Sequence, residues 1–365
     1  MSSALFSPYR LAGLELPNRI TVAPMCQYSA QDGCATDWHL VHLGMLANSG
    51  AALVVVEATA VERVGRITHG CLGLYSDENE AALSRVIAAC RRLGQARFGI
   101  QLAHAARKAS AHLPWDGGQT LQAGADPWPT IAASAIPFGE NWHTPAAMTE
   151  ADMQRASAAF VQAAQRALRI GFDAVELHMA HGYLFHGFMS PISNKRTDDY
   201  GGSFANRMRF PLAVARAVRA TVPKSVPLGA RITGSDWREG GLISDDAVGI
   251  AKALKVEGFD FVCVSSGGVT ADTRNPSEPG YNVPIAERVR REAGIATRVV
   301  GLIVKPEQAE RIVADGKADL VSMARAFLDD PHWGWHAAKV LGAEVARPAQ
   351  YLRAGPKLWA PAAAQ

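Results

Sequence analysis

Residues 172–191 read FDAVELHMAHGYLFHGFMSP. The first part, FDAVELH (172–178), is a short, nearly continuous apolar run of strand length. It ends in a dense polar cluster: His178, His181, Tyr183 and His186 fall within nine residues. A run apolar on both faces suits a strand of a parallel sheet covered by helices. The fold then depends on how often this unit recurs.

It recurs along the whole chain. Similar runs are RITVAP (19–24), AALVVVEA (51–58), FGIQLAH (98–104), PLGARIT (227–233), FDFVCVSS (259–266), TRVVG (297–301) and ADLVSMA (318–324). Helix-like stretches separate them and carry start signals. Thr149 with Asp152 forms a capping-box pattern. Ser203 and Ser244 open further helices, and Pro306 sits where a first helical turn tolerates proline. Pro211 predicts a break or kink in the helix after Ser203. Gly342 is placed to stop the last helix. Eight strand-then-helix units in series predict a closed (β/α)8 TIM barrel, α/β in class. An open doubly wound sheet fits less well, because no GxGxxG turn follows an early strand.

The 365 residues read as a single barrel domain with one long insertion and a tail. Residues 109–148, after strand three, are rich in Pro, Gly and Trp; a connection of that length predicts an insertion or capping segment with a function or a small hairpin of its own. Residues 343–365 form the C-terminal tail. Composition excludes several classes. Charged residues are 19% and the formal net charge is +3, and the densest basic stretch, ERVRREAG (287–294), interleaves acids, so no nucleic-acid face is expected. No apolar run approaches a membrane span, and the N-terminus lacks a signal-peptide pattern. Five cysteines without a CxxC pair predict neither a disulfide framework nor a zinc site, and a cytoplasmic setting.

In a barrel of this order, unusual residues collect at the carboxyl ends of the strands, where such folds place their sites. Strand one ends in Ala23-Pro24-Met25-Cys26-Gln27-Tyr28, and strand two runs to Glu57 and Ala60. Strand three carries Gln101 and His104, then Arg107 and Lys108; strand four carries Glu176, His178, His181 and Tyr183. Arg231, Ser265-Ser266-Gly267-Gly268, Gly301 and Ala324-Arg325 follow from strands five to eight. An arginine in a barrel mouth needs an anionic or carbonyl-rich partner. Glycine after strand seven and an amide-rich turn after strand eight are a common phosphate site of this fold. The pattern points to a phosphate-bearing ligand with a polar ring near Gln101 and Arg231.

The chain resembles the Old Yellow Enzyme family of flavin-dependent ene-reductases. The motifs are LPNRITVAPMCQYSA, GAALVVVEATAV, IQLAHAARKAS, ELHMAHGYLFHGFMSPISNKRTDDYGGSFANRMRF, VSSGG and ARAFLDDPHW, spread from about Leu5 to Tyr351. Cys26 and Tyr28 resemble the thermophilic-like bacterial subgroup, close to xenobiotic reductases. The resemblance implies non-covalent FMN reduced by NAD(P)H. Ala23, Pro24, Met25 and Cys26 would line the flavin edge, and Ala60 and Gln101 would bond its pyrimidine ring. Arg231 would face its N1/O2 end, while Gly267, Gly268, Gly301, Ala324 and Arg325 would hold the phosphate. His178 and His181 would bind a substrate carbonyl or nitro oxygen, Tyr183 would donate a proton, and Tyr28 and Lys108 would line the site. The subgroup's homodimers or homotetramers would bring the tail residues Arg353 and Trp359 to a neighbouring site. Ala106, Met179 and Ala324 stand where family members commonly have glycine.

The residue types suit that chemistry. Hydride accepted at the β carbon of an activated alkene sends charge to the oxygen, which two imidazole N–H groups stabilise in the manner of an oxyanion hole. A phenol then protonates the α carbon. Other readings stay open. Glu176, His178 and His181 could ligate a metal in a barrel hydrolase. Another FMN barrel, of the dienoyl-CoA reductase or dihydrouridine synthase kind, is the second alternative. Cys26 could be a small buried hydrophobe. Arg107 and Lys108 could be solvated loop charges, and Asn194, Arg196, Asp198 and Asp199 read as loop braces. The remaining histidines, His186 among them, read as surface or structural residues.

Overall fold

The computed structural model describes residues 3–355, 358 and 359. Eight parallel strands close into a barrel: β1 (Ile20–Val22), β2 (Leu53–Ala60), β3 (Arg97–Ala103), β4 (Ala174–Met179), β5 (Leu228–Thr233), β6 (Phe261–Ser265), β7 (Ala296–Val299) and β8 (Leu320–Met323). Each strand pairs with the next in sequence, and β8 closes on β1. The outer ring is α1 (Asp37–Leu46), α2 (Asp77–Leu93), α3 (Glu150–Ile170), α4 (Phe204–Thr221), α5 (Ser244–Val256), α6 (Val283–Ala293), α7 (Pro306–Ala314) and α8 (Trp333–Val340).

Strand parity decides what faces the axis. In β4, Val175, Leu177 and Met179 are fully buried in the large apolar cluster under the helices. Ala174, Glu176 and His178 have the opposite parity and point inward. The barrel floor is sealed by an antiparallel hairpin, Tyr9–Leu11 with Leu14–Leu16. Its Leu11, Leu14 and Leu16 pack on Leu53, Ala174, Phe261 and Leu320. Gly229 leaves room for the Phe261 ring, which a Cβ there would meet at 2.3 Å. An apolar floor leaves the polar residues to the upper layers.

The helix signals act as expected at most ends. Thr149 caps α3: its N–H donates to Asp152 Oδ2 at 2.9 Å and its Oγ1 accepts from the Asp152 N–H at 3.2 Å. Ser203 accepts from the Asn206 N–H to start α4. Gly342 follows the last helix with φ 62°. Ser244 opens α5 as its first residue, and Asp246 Oδ2 accepts the Ile243 N–H at 2.9 Å. The break expected at Pro211 does not occur; α4 runs through it, with Pro211 buried among Phe210, Val214 and Ala215. Tertiary packing outweighs the one backbone bond that proline removes.

The insertion holds a minimal antiparallel hairpin at its start, where the His112 N–H donates to the Gln119 carbonyl at 2.7 Å and the Leu121 N–H to that of Ser110 at 2.8 Å. Ile131–Ala132 and Ala146–Ala147 pair in parallel, and Ala111 bridges Thr120 antiparallel. Two arginines, Arg107 buried and Arg196 half-buried, fasten it over the barrel mouth. Arg107 donates to the carbonyls of Ile136 (3.4 Å), Pro137 (3.2 Å) and Val269. Arg196 donates to those of Ala133 (3.0 Å) and Met148 (2.8 Å). Arg107 is therefore a buried staple, not a solvated charge, while Arg196 and Asn194 are the braces expected.

Candidate active site

The β4 segment places its polar residues at the barrel mouth because the turn after it is pinned from both sides. Tyr183 caps a short helix, Leu184–Met189, whose Phe185 and Phe188 sit in an aromatic cluster with Phe160 of α3 and Phe210 of α4. Ring centroids there lie 4.6–6.0 Å apart. Aromatic pairs at such spacings add to burial, so Tyr183 is held from below by core packing.

Above that anchor, three rings converge. His178 and His181 lie 5.1 Å apart between centroids at 86°, and His178 and Tyr183 4.7 Å apart at 75°. Burial, then the nearby Arg231, pushes both imidazoles well below their usual range. They are neutral at physiological pH and each offers one N–H. His181 Nε2 lies 2.7 Å from Ser265 Oγ, which Arg231 Nη2 reaches at 3.2 Å. Burial, then Cys26 and Tyr28, raises the Tyr183 phenol well above its ordinary value, so it stays protonated. Lys108 Nζ donates to the His181 carbonyl at 2.9 Å and sits 4.8 Å from the Tyr183 ring centre and 4.4 Å from that of Phe138.

A second arrangement lies one layer deeper. Gln101 is the register partner of Glu176 and donates Nε2 to Glu176 Oε1 at 2.7 Å. Arg298 of β7 donates to the other carboxylate oxygen. All three are at most 2% exposed. Because Glu176 only accepts, it fixes the orientation of the Gln101 amide, with the amide oxygen directed away from the carboxylate. Glu176 is thus occupied by Arg298 and Gln101 and does not join His178 and His181 in a ligand set. No cluster of three His, Cys, Asp or Glu among the described residues could hold a metal. The metal-site reading fails on this geometry.

A cleft of about 600 Å³ opens beside this layer, lined by Ala23, Arg231, Ser265, Gly301, Ala324 and Arg325 among others. Gly301 has φ 126°, and a Cβ there would meet Asn282 at 2.9 Å. The Nε of Arg231 and the Oγ of Ser322, also in the cleft wall, are buried with no protein partner. Buried donors left unpaired are costly unless something meets them. A cleft with cationic ends, a strained glycine and free donors fits an anionic, ring-bearing group such as FMN.

The other expected residues divide. Met25 packs against the core, and Pro24 is half-buried. Cys26 is half-buried against the Ala58 backbone and the Tyr28 side chain; burial, then Glu57, keeps its thiol protonated. Ala60 lines a small cavity with Cys71 and Tyr183. Tyr28 stands edge-on to Trp115 of the insertion, 5.9 Å between centroids. Gly267 and Gly268 are left-handed (φ 73° and 79°), a Cβ there would meet Asn275 and the His181 backbone, and neither lines the cleft with Gly301 and Arg325. Arg353 and Trp359 are exposed and are not among the residues that line the cleft. Cys71 and Arg298 escaped sequence reasoning, and Ser265 stood out there only as part of the end of strand six. Only Arg298 carried a signal: an arginine of inward parity in the apolar run TRVVG.

The sequence matches the NADH:flavin oxidoreductase / NADH oxidase family over residues 4–344. An NADPH dehydrogenase of Geobacillus sp. (strain WCH70) is 44% identical over 97% of this chain and 99% of its own. The fold is similar to that of morphinone reductase, with a TM-score of 0.76, 27% identity, and coverage of 95% and 92% of the two chains. It is also similar to 2-naphthoyl-CoA reductase (TM-score 0.83, 23% identity, 93% of this chain), of which it spans about half, 52%.

Proposed function

The chain belongs to the NADH:flavin oxidoreductase / NADH oxidase family, and from that premise we propose that it is an FMN-dependent ene-reductase. It is an NAD(P)H-dependent flavin oxidoreductase, and its cofactor is FMN. The substrate class is α,β-unsaturated carbonyl or nitro compounds, taken up after NAD(P)H has left the same pocket, which makes the kinetics ping-pong.

The observation that carries this reading is the convergence of two neutral imidazoles and a protonated phenol at the mouth. Bound FMN would supply hydride transfer from the nicotinamide to the alkene β carbon. His178 and His181 take the substrate oxygen and stabilise the charge that reaches it. Tyr183 delivers a proton to the α carbon. Arg231, Gln101, Gly301, Ala324 and Arg325 would hold the cofactor, with Ala23, Pro24, Met25, Cys26 and Ala60 along its ring. Gly267 and Gly268 shape the loop behind His181 while remaining candidates for the phosphate end. Tyr28 and Lys108 line the substrate side. Arg353 and Trp359 would act from a neighbouring subunit of a homodimer or homotetramer. No helix among the described residues is long and apolar enough to cross a membrane, and a cytoplasmic location completes the proposal.

Rapid mixing tests it. Anaerobic NADPH should bleach the flavin, and an enone such as 2-cyclohexenone should restore the colour in a second, separate phase. A flavin that bleaches but is not reoxidised by any enone, maleimide or nitroalkene would overturn the substrate class.

A further inference from the structure

The turn that carries His181 and Tyr183 is conformationally unusual. His181 (φ 59°) and Gly182 (φ 76°) are both left-handed, a region disfavoured for a residue with a Cβ. Such a conformation persists when its surroundings over-determine it. Here both backbone N–H groups are met by side chains from outside the turn. That of His181 lies 3.3 Å from Thr233 Oγ1, and that of Gly182 donates to His186 Nδ1 at 2.6 Å. The turn has no room to move toward the β6 loop, since a Cβ at Gly182 would lie 2.2 Å from the Gly268 carbonyl oxygen.

His186 is wholly buried, and its second nitrogen faces another wholly buried group. Nε2 lies 2.7 Å from Asp236 Oδ1, on the loop after β5. Asp236 Oδ2 accepts from Ser190 Oγ at 2.7 Å and from the Leu242 N–H at 2.8 Å. Nδ1 accepts the Gly182 N–H, so the imidazole's proton sits on Nε2; that atom and Asp236 Oδ1 are in close polar contact at 2.7 Å without hydrogen-bond alignment, and neither has another partner. Burial raises the Asp236 carboxyl, but His186, Leu242 and Ser190 outweigh it and hold the group below its ordinary range. The result is a chain from an ionised carboxylate through an imidazole to one backbone amide of the catalytic turn.

We infer that His186 and Asp236 are positioning residues for the oxygen clamp: the buried pair fixes the peptide at Gly182 and thereby the directions of His181 and Tyr183. The inference rests on His178, His181 and Tyr183 forming the substrate site. A histidine needed only to fill volume is replaceable by another ring. One needed for the acceptor at Nδ1 is not, whereas asparagine sets an amide oxygen near the place of Nδ1.

The test compares FMN-loaded H186F, H186N and H181A, with 4-hydroxybenzaldehyde titrated by the change in flavin absorbance. H186F should weaken binding roughly 10–100-fold, as misplacement of a site by about 1 Å does, and H186N should recover most of the loss. An H186F protein that binds as tightly as the native one while H181A binds weakly overturns the positioning role alone. If H181A also binds at native affinity, the clamp reading falls and takes this inference with it. Should H186F fail to accumulate, D236N carries the test: with its amide oxygen kept for the Ser190 and Leu242 donors, its NH2 confronts the His186 Nε2–H, so weakened binding supports the chain and native binding overturns it.

Discussion

Lys108 Nζ lies 2.9 Å from the His181 carbonyl oxygen and 4.8 Å from the centre of the Tyr183 ring. Burial, then the Arg107 charge, lowers its ammonium to about 8. The cation is present below that pH and lost above it, and it faces the region where the reacting oxygen gains charge. Enone kcat/KM is therefore expected to fall as pH rises through about 8. K108M should lower the plateau and remove the inflection, while Tyr183, held protonated, adds none in that range. The stability effect has the opposite sign. Between about 8 and the ordinary 10.5 the unfolded chain binds the extra proton, so this group's contribution to stability rises with pH. A pH–rate profile unchanged in K108M would remove Lys108 from the site.

Tyr183→Phe separates proton donation from everything else. Alkene reduction should slow by about 10²–10⁴. Flavin reduction by NADPH, and reduction of quinones that need no carbon protonation, should be spared. If quinone and enone turnover fall together in stopped-flow traces, Tyr183 has a binding or packing role instead.

The barrel and its mouth were legible in the sequence because parity and strand-end position carry both. FDAVELH, FGIQLAH and PLGARIT alternate core-facing and axis-facing residues, and that parity predicts Glu176, His178, Gln101 and Arg231 inside the barrel. What was illegible depends on contacts across the barrel. Arg298 meets Glu176 over 122 residues of separation, and nothing local marks Glu176 as an ion-pair partner rather than a metal ligand. Pro211 does not break α4 because its cost is local while its compensation is tertiary. His186 was legible only as another histidine; its role lies in partners at Gly182 and Asp236 that the fold brings together.

The Arg298–Glu176 pair gives a stability prediction. Both groups are nearly fully buried, so R298M leaves an uncompensated carboxylate and should cost about 3–5 kcal/mol in urea unfolding. E176M/R298M should recover most of that loss, since apolar replacements of a buried pair are often close to neutral. Gln101 would lose its orienting acceptor in the double variant, so FMN affinity should fall even where stability returns. Equal urea midpoints for the wild type and R298M would mean that the pair is not a stabilising unit.

Cys26 tests the flavin edge. Its thiol is protonated and packed against the Tyr28 side chain, so it is a weak donor and a polarisable contact rather than a nucleophile. C26A should shift the flavin's spectrum and reduction potential with FMN retained, and native Cys26 should alkylate slowly at neutral pH. An unaltered potential and spectrum would leave it as a small buried side chain.

The tail yields the last prediction. Of the residues after Gly342, positions 356, 357 and 360–365 lie outside the described residues. Aromatic contacts attach the described part to the barrel. Tyr351 meets the His332 and Trp335 rings at 6.2 and 5.8 Å, and the Arg347 guanidinium lies 4.6 Å from the Trp335 ring centre. Tyr351, Leu352, Leu358 and Trp359 remain about half exposed or more, from 48% to 70%, around this contact. Apolar side chains gathered on one short segment mark a surface that something covers. A second subunit would cover it and bring Arg353 to the neighbouring mouth. Truncation after Pro348 keeps Arg347 and removes the rest. It should raise KM in a substrate-dependent way with FMN retained, and sedimentation should show weaker self-association. R353A alone should reproduce the KM effect without the change in mass. A truncated protein with native KM and native mass would confine the tail to packing on α8.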